Sequence, residues 1–206
     1  MKNQKELDMD NQKILFFSMP KTGSTSWNHA LSEEKSVIKY SHDKRQPNWI
    51  DPKDFKHIDE YWAFTFMRNP IDRFISAFNY LKKGGLTQAD KVESIFLIDK
   101  KYENDISGWV IDVLDKNPIV LNQLHFRPQH AWIFNNGNTN FNVFKYEDQR
   151  DAINQVSSIL GTELTIPFLN KTGSKNSELS EEALNILKRI YQKDIDIWQS
   201  LYEHRL

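Results

Sequence analysis

The clearest chemical pattern in the chain is the short run of residues 20–26, PKTGSTS, which follows an apolar stretch and precedes a helical pattern. In a strand–loop–helix unit the backbone N–H groups converge on one point and favour an anion there. Gly23 lets the backbone approach closely, the hydroxyl side chains add donors, and Lys21 supplies a mobile positive charge. The run therefore predicts an anion-binding loop, although a serine-rich turn that only begins a helix has the same composition.

The loop differs from the nucleotide-binding pattern G-x-x-x-x-G-K-[ST], because Lys21 precedes the glycine and the first glycine is missing. A lysine placed early in the loop lies at its mouth, where a transferred group and its bridging oxygen could be held. This order of residues favours a group-transfer site over an ordinary ATP site.

A second candidate anion site follows the strongest strand pattern of the chain. Arg68 comes directly after that strand, and Ser76 lies on the polar side of the helix predicted next. Open α/β sheets bind ligands at the carboxyl ends of their strands. There, Arg68 can hold a phosphate through two parallel hydrogen bonds and Ser76 can add a hydroxyl donor. Arg73 on the same helix is expected to pair with Asp72 or Glu60, or with the chain nearby, rather than to contact a ligand.

Strand and helix patterns alternate along the first third of the chain. Residues 14–17 are a short apolar run typical of a buried strand. Residues 27–34 are predicted to form a helix, and residues 37–40 a second strand. Residues 61–67 are aromatic and nearly uncharged, which predicts a central strand.

The helix after that strand has the clearest end signals. Asn69 suits an N-cap, and Pro70 suits the first helical position, where its missing N–H costs nothing. Apolar residues then recur at helical spacing until a glycine pair ends the pattern, at Ile71, Phe74, Phe78 and Leu81.

The remaining chain continues the alternation. Residues 87–117 are predicted to be largely helical, residues 140–146 to form a strand, and residues 151–160 a helix. Ser180 suits the N-cap of one last helix, whose apolar stripe extends to Trp198. Strands that alternate with helices predict a parallel sheet covered by helices on both faces.

The composition excludes several classes of function. Basic and acidic residues nearly balance, at 27 and 28, so the charge signature of a nucleic-acid or anionic-membrane binder is missing. The absence of cysteine excludes disulfides, zinc–thiolate sites, iron–sulfur clusters and a cysteine nucleophile. We expect one domain over residues 1–206, with residues 1–12 as a flexible N-terminus. No signal peptide or membrane span is predicted, so a cytoplasmic protein is expected.

The two candidate anion sites together resemble the donor site of a known enzyme family. Residues 16–26, FFSMPKTGSTS, are similar to the 5′-phosphosulfate loop of sulfotransferases that use 3′-phosphoadenosine 5′-phosphosulfate (PAPS). Residues 64–78, FTFMRNPIDRFISAF, resemble the 3′-phosphate-binding strand and helix of the same family. The resemblance is most marked for carbohydrate sulfotransferases of the chondroitin 4-O and bacterial polysaccharide type. It continues in the same order through HFRPQ at 125–129, FKYED at 144–148 and LNKT at 169–172.

The resemblance implies a fold and a role for most of these residues. The fold would be an α/β, P-loop-like three-layer sandwich with a central parallel sheet flanked by helices. In the family PAPS donates a sulfuryl group in line to an acceptor hydroxyl and leaves as 3′-phosphoadenosine 5′-phosphate (PAP). Lys21 would stabilise the bridging oxygen as it leaves, and Arg68 and Ser76 would hold the 3′-phosphate. The 5′-phosphate would lie in a cradle formed by Thr22, Gly23, Ser24, Thr25 and Ser26. The acceptor would be a carbohydrate or another hydroxyl-bearing molecule, and no bridging magnesium would be needed.

Such a transfer needs a general base within hydrogen-bond reach of the acceptor hydroxyl. The family places a histidine or glutamate just after the second strand, and His42 stands there with Asp43 beside it. A surface histidine in a polar turn is the other interpretation of His42, and His57 and His125 are the remaining candidates for the base. No HExxH or comparable ligand spacing occurs, so no metal site is predicted.

Two other functions stay open at this point. A small kinase of the P-loop type, using ATP and magnesium, predicts a Gly-Lys-[ST] motif and a metal-holding aspartate, for which Asp148 is the nearest candidate. A non-catalytic module that binds PAP predicts that the loop is kept while Lys21 and His42 are dispensable. The sequence leaves the acceptor, the sulfated position and the oligomeric state open.

Overall fold

A computed structural model describes residues 13–41, 58–134, 139–167 and 179–203. Within these ranges four parallel strands form one sheet, in the order β2-β1-β3-β4. They are β1 (Ile14–Ser18), β2 (Val37–Ser41), β3 (Trp62–Met67) and β4 (Asn142–Lys145). The chain first adds β2 on one side of β1 and then continues on the other side, so the strand order reverses between β1 and β3. Open α/β sheets bind their ligands at such a point.

Eight α-helices accompany the sheet in the described part of the chain. They are α1 (Ser24–Ala30), α2 (Pro70–Leu81), α3 (Gln88–Leu97), α4 (Ile106–Trp109), α5 (His130–Ile133), α6 (Arg150–Leu160), α7 (Glu181–Ile190) and α8 (Gln192–Glu203). None of these helices is long and apolar enough to cross a membrane.

Helices cover both faces of the sheet. Alternate residues of a strand point to opposite faces, and on one face Phe16 and Phe64 pack against Trp27 of α1 and against α6. On the other face Phe17 packs against Trp132 of α5, in a cluster that α8 completes. The predicted α/β sandwich, with a central parallel sheet and a helical layer on each face, is confirmed.

The connection from β3 to α2 follows the prediction closely. The side chain of Asn69 caps α2 by accepting hydrogen bonds from the backbone N–H groups of Ile71 (3.0 Å) and Asp72 (3.2 Å). Pro70 occupies the first helical position, and the apolar face of α2 is buried against Trp109. The cap therefore sets the direction in which the chain leaves β3 and fixes Arg68 at the edge of the sheet.

Three predicted elements differ in their extent. Helix α1 begins at Ser24 and ends at Ala30, not over residues 27–34, because the serines of the loop themselves form its first turn after Gly23. Residues 87–117 form no long helix. They divide into α3, a 3-10 turn at Lys100–Tyr102, α4 and a π turn at Val110–Leu114.

The predicted C-terminal helix is also interrupted. Ser180 caps α7 as expected, with its hydroxyl oxygen accepting a hydrogen bond from Ala183 N at 3.2 Å. The helix then breaks at Tyr191, whose buried hydroxyl donates to the carbonyl oxygen of Phe126 at 2.6 Å. This contact joins residues far apart in sequence, so the helical periodicity did not reveal the break.

Candidate active site

The loop between β1 and α1, the predicted anion-binding loop, has a strained backbone. Lys21 and Gly23 both adopt left-handed conformations, with φ of 67° and 80°. A Cβ on Gly23 would lie 2.7 Å from Cε2 of Tyr146, so only glycine fits there without displacing that ring. The hydroxyl of buried Thr22 donates to the Met19 carbonyl at 3.1 Å. Thr22 thus closes the loop with its side chain and is itself almost fully buried.

Arg68 connects the two predicted anion sites. Its guanidinium donates to the carbonyl oxygen of Lys21 at 3.3 Å and lies 5.0 Å from the centre of the Tyr146 ring. The end of β3 and the loop after β1 therefore share one rim of the sheet. Ser76 lies half-buried farther along α2, and within the described ranges its hydroxyl makes no hydrogen bond to Arg68.

The backbone of Arg68 is held by a residue that sequence reasoning left without a role. The side-chain amide of Gln129, fully buried, accepts from Arg68 N and donates to Arg68 O, both at 2.9 Å. Gln129 thus makes the pair of hydrogen bonds that a neighbouring strand would make. Its own N–H donates to the buried carboxylate of Asp194 at 2.6 Å. The HFRPQ segment had been noted only for its resemblance, and it carried no signal for this structural role.

Of the partners predicted for Arg73, the structure shows the chain around it and neither acidic residue. Its side chain is only 1% exposed and pairs with neither Asp72 nor Glu60. Instead Nε donates to the carbonyl oxygen of Pro20 at 3.0 Å, and Nη1 donates to that of Arg127 at 3.1 Å. Arg73 therefore joins the loop after β1 to the backbone of Arg127 through hydrogen bonds. Burial lowers the pKa of its guanidinium.

Lys21 has an unusual environment for a lysine. Its Nζ lies 4.0 Å from the centre of the Tyr80 ring. Burial, together with the positive charges of Arg68 and Arg73, lowers the pKa of Lys21 from 10.5 to about 8, although Asp90 acts in the opposite direction. A lysine whose pKa lies close to neutral is suited to giving up its proton during a reaction.

A network of polar residues continues from Lys21 through Tyr80. The Tyr80 hydroxyl donates to Asp90 Oδ2 at 2.6 Å, and its ring centre lies 5.1 Å from that of His125. His125 Nδ1 in turn lies 3.0 Å from Glu93 Oε2. Burial would raise the pKa of Asp90, but hydrogen bonds from Tyr80 and Thr87 outweigh it and lower this pKa to about 2. Tyr80 stands four residues after Ser76, and this helical spacing was the signal that could have identified it.

Three members of this network could in principle approach a metal ion. Asp90, Glu93 and His125 each offer one ligand atom, and these atoms lie within 4.8 Å of one another. They are the atoms that bind each other or nearby hydroxyl and backbone groups. The cluster is therefore a hydrogen-bonded unit in this structure.

Several predicted candidates lie outside the described residues. These are the proposed base His42, its neighbour Asp43 and the alternative His57. Of the four candidates for the base, His125 is the one that the described ranges contain. Asp148, the nearest candidate for a metal-holding aspartate, forms an ion pair with Arg150, with Oδ1 3.0 Å from Nε.

Comparisons with known proteins match the chain to one family. A family model described as "Sulfotransferase family" matches residues 7–204. Carbohydrate sulfotransferase 10 of Gallus gallus is 26% identical over 146 residues, which is 60% of this chain and 38% of that protein. The Homo sapiens protein of the same name is 25% identical over the same shares. The chain thus spans less than half the length of these relatives, and no solved structure gives a significant match.

Proposed function

Because the chain belongs to the sulfotransferase family, we propose that it transfers a sulfuryl group from PAPS to a hydroxyl group of a carbohydrate or glycolipid acceptor. The observation that carries this proposal is the contact between Arg68 and the carbonyl of Lys21. It brings together, on one rim of the sheet, two groups that could bind anions and that follow neighbouring strands, β1 and β3. A donor with phosphate groups at both the 5′ and the 3′ positions suits such a pair.

The residues of the rim fit this donor. The absence of a side chain at Gly23 lets the loop pack against the Tyr146 ring, and the left-handed backbone at Lys21 and Gly23 suits a 5′-phosphate cradle of backbone N–H groups over residues 22–26. Arg68 and Ser76 would hold the 3′-phosphate, Arg68 through charge-assisted hydrogen bonds. Arg73 Nη2 has no hydrogen-bond partner within the described ranges. Its buried charge adds a positive potential beneath the loop.

The proposed reaction is an in-line displacement at sulfur. The acceptor oxygen forms the new O–S bond, and the bond between sulfur and the oxygen bridging to the 5′-phosphate breaks. The acceptor proton passes to the general base, and the electron pair of the broken bond remains on the bridging oxygen of PAP. Lys21, with its ammonium near the loop, would stabilise the charge that develops on this oxygen.

The environment of Lys21 supports this role. With a pKa of about 8, the ammonium is about nine-tenths protonated at pH 7, so it is present to meet the leaving oxygen. An ordinary lysine would be charged as well, but it would hold its proton more tightly. The lowered pKa therefore favours proton donation in addition to electrostatic stabilisation.

We propose His42 as the general base, on the position it shares with the family. His125 is the alternative that a specific contact favours. His125 Nδ1 lies 3.0 Å from Glu93 Oε2, and a ring that donates to this carboxylate through Nδ1 would keep Nε2 for the acceptor proton. Both histidines must be tested together.

The test is transfer of labelled sulfate from PAPS to a panel of oligosaccharides and glycosides, with EDTA present. The proposal predicts transfer by the wild type and its loss in Lys21→Ala, whereas Lys188→Ala, a change at an exposed lysine on α7, has no effect. The variants His42→Ala and His125→Ala identify the base. The one that abolishes turnover without weakening PAP binding has lost it. Tight PAP binding with no transfer to any acceptor would instead support a non-catalytic PAP-binding module.

A thermal-shift measurement distinguishes the proposed sulfotransferase from a kinase by comparing PAP alone with ATP plus magnesium. The proposal predicts that PAP stabilises the protein without a metal, and that ATP with magnesium does so weakly. A larger shift with ATP and magnesium would favour the kinase.

The cellular compartment of the protein and the number of its domains remain predictions made from the sequence. We propose a reducing, cytoplasmic compartment, because a chain with no cysteine gains no disulfide from an oxidising one. We also propose that residues 1–206 form one domain. Cell fractionation tests the proposed compartment. Limited proteolysis tests the single domain, and the release of a stable internal fragment would contradict it.

A further inference from the structure

A cleft of about 510 Å³ opens between α3 and the segment of residues 122–132. Its volume is that of a small-molecule binding site. Glu93, Val92 and Phe96 of α3 line one side, and Arg127 and Trp132 line the other. The roles proposed above for the donor-binding residues do not use this cleft.

Two routes of contact connect the cleft with the anion-binding loop. In the first, Lys21 lies on the Tyr80 ring, Tyr80 on the His125 ring, and His125 Nδ1 is 3.0 Å from Glu93 Oε2, at the wall of the cleft. In the second, Arg73 binds the carbonyl oxygens of Pro20 in the loop and Arg127 in the cleft. A ligand in the cleft would therefore contact Glu93 and Arg127, which these two routes link to Lys21 and to Pro20 of the loop.

The polar groups of the cleft are few and of opposite charge. Glu93 uses Oε2 for His125, whereas its buried Oε1 has no hydrogen-bond partner within the described ranges. The Arg127 guanidinium donates to the Ala131 carbonyl at 3.2 Å and lies 4.2 Å from the centre of a Trp132 ring. One acidic and one basic group give no excess of positive charge, so a polyanionic chain finds no complementary surface here.

The outer wall of the cleft is apolar and exposed to solvent. Val92 and Phe96 stand four residues apart on α3, on one helical face, and are 45% and 82% exposed. Leu86 and Ile95 add further exposed apolar surface on or beside the same helix. Apolar side chains that are exposed together at the edge of a ligand-sized cleft indicate a binding surface for an apolar group.

We infer that this cleft binds the acceptor, and that the acceptor is an uncharged sugar joined to an apolar aglycone, an alkyl, acyl or aryl group. Glu93 and Arg127 would supply the polar groups beside the sugar, and the aglycone would cover Val92 and Phe96. The inference rests on the proposed function and narrows it, because it disfavours acidic polysaccharides as acceptors.

The test compares octyl, phenyl and methyl β-D-glucopyranosides, each below any micelle-forming concentration, by calorimetric titration of the full chain in the presence of PAP. We expect the octyl or phenyl glycoside to bind at least about tenfold more tightly than the methyl glycoside, since even one methylene in an apolar pocket changes affinity by about this factor. The octyl and phenyl arms distinguish an alkyl from an aryl aglycone.

Two variants and a matched control locate the binding site. Phe96→Ala should remove most of the preference for the apolar aglycone, and this exposed position carries little risk to folding. Glu93→Gln should weaken the binding of all three glycosides. Ile119→Ala, which removes a 72% exposed apolar side chain outside the cleft, should change nothing.

Equal affinity for the methyl and octyl glycosides overturns the inference, as does an equal effect of Phe96→Ala and Ile119→Ala. The inference is also overturned if a sulfated chondroitin oligosaccharide binds more tightly than the octyl and phenyl glycosides, or if no glycoside binds to the chain. Because the readout is binding, the result is independent of turnover. Binding of the octyl glycoside with no sulfuryl transfer would contradict the proposed function alone, and transfer with one KM for every glycoside would contradict this inference alone.

Discussion

The pKa of Lys21 leads to a prediction about stability as well as about chemistry. Holding a charged lysine in this partly buried position, near two arginines, costs folding free energy. The pKa lies at about 8 in the folded chain and at 10.5 in a free side chain. Each pH unit of this difference corresponds to about 1.4 kcal/mol, so the charged form destabilises the fold by about 3 kcal/mol below pH 8.

The perturbation is Lys21→Met, which keeps a long flexible side chain and removes the charge. Neither residue is a glycine, so the left-handed backbone at position 21 is equally strained in both. The variant loses the contact of the ammonium with the Tyr80 ring, worth about 0.5–2 kcal/mol, and a thioether restores part of it. We therefore expect Lys21→Met to be about 1–3 kcal/mol more stable than the wild type at pH 7.

The pH dependence distinguishes this cause from a general packing effect. Between pH 8 and 10.5 the unfolded chain still holds the proton that the folded chain has released, so the stability of the wild type gains from rising pH. The variant lacks this contribution. The stability difference between the two proteins should be greatest below pH 8 and should disappear by about pH 10.5.

The assay is urea unfolding at several pH values from 7 to 10, with sulfuryl transfer measured on the same samples. Transfer by Lys21→Met should fall by about 10²–10⁴-fold, the usual contribution of a proton-donating group. Lys188→Met, at an exposed position, should change stability by less than about 0.5 kcal/mol and leave transfer intact. A variant less stable than the wild type, or a stability difference that does not vary with pH, would refute the reasoning.

Three further changes probe the supports of the loop. Gly23→Ala places a Cβ 2.7 Å from the Tyr146 ring at a φ of 80°, and should abolish the thermal shift that PAP produces. Arg73→Met leaves two carbonyl oxygens without their donor, and should lower the free energy of unfolding by about 2–4 kcal/mol in urea titrations. Gln129→Leu removes both hydrogen bonds that fix the backbone of Arg68, and should raise the KM for PAPS more than it lowers kcat. Unchanged PAP binding in Gly23→Ala, or unchanged stability in Arg73→Met, would contradict the account of the loop.

Short-range patterns in the sequence predicted the strands and helices that hold the loop after β1 and Arg68 at one edge of the sheet. The Asn69 cap, Pro70 at the first helical position and the apolar spacing of α2 are properties of neighbouring residues, and they fixed the connection from β3 to α2. The alternation of strands and helices likewise predicted a parallel sheet. For this reason the sequence predicted that the loop after β1 and Arg68 lie at the same end of the sheet, where the structure shows their contact.

Long-range contacts account for what the sequence did not predict. For Arg73 the sequence suggested Asp72, Glu60 or the chain nearby, and its partners are backbone carbonyls more than fifty positions away. The break at Tyr191 depends on Phe126, and the buried carboxylate of Asp194 accepts from the backbone N–H of Gln129. Backbone partners have no sequence signature, so neither helical periodicity nor charge spacing could reveal these roles.

The most direct test of the central claim is a calorimetric comparison of PAP with adenosine 5′-monophosphate, which lacks the 3′-phosphate, without magnesium. The account predicts that PAP binds at least about tenfold more tightly, the effect of one or more charge-assisted hydrogen bonds. Arg68→Ala should remove this preference, and Ser76→Ala should reduce it without disturbing the contact between Arg68 and the loop. Equal binding of the two nucleotides by the wild type, or tighter binding of ATP with magnesium, would contradict the assignment of this rim as a PAPS site.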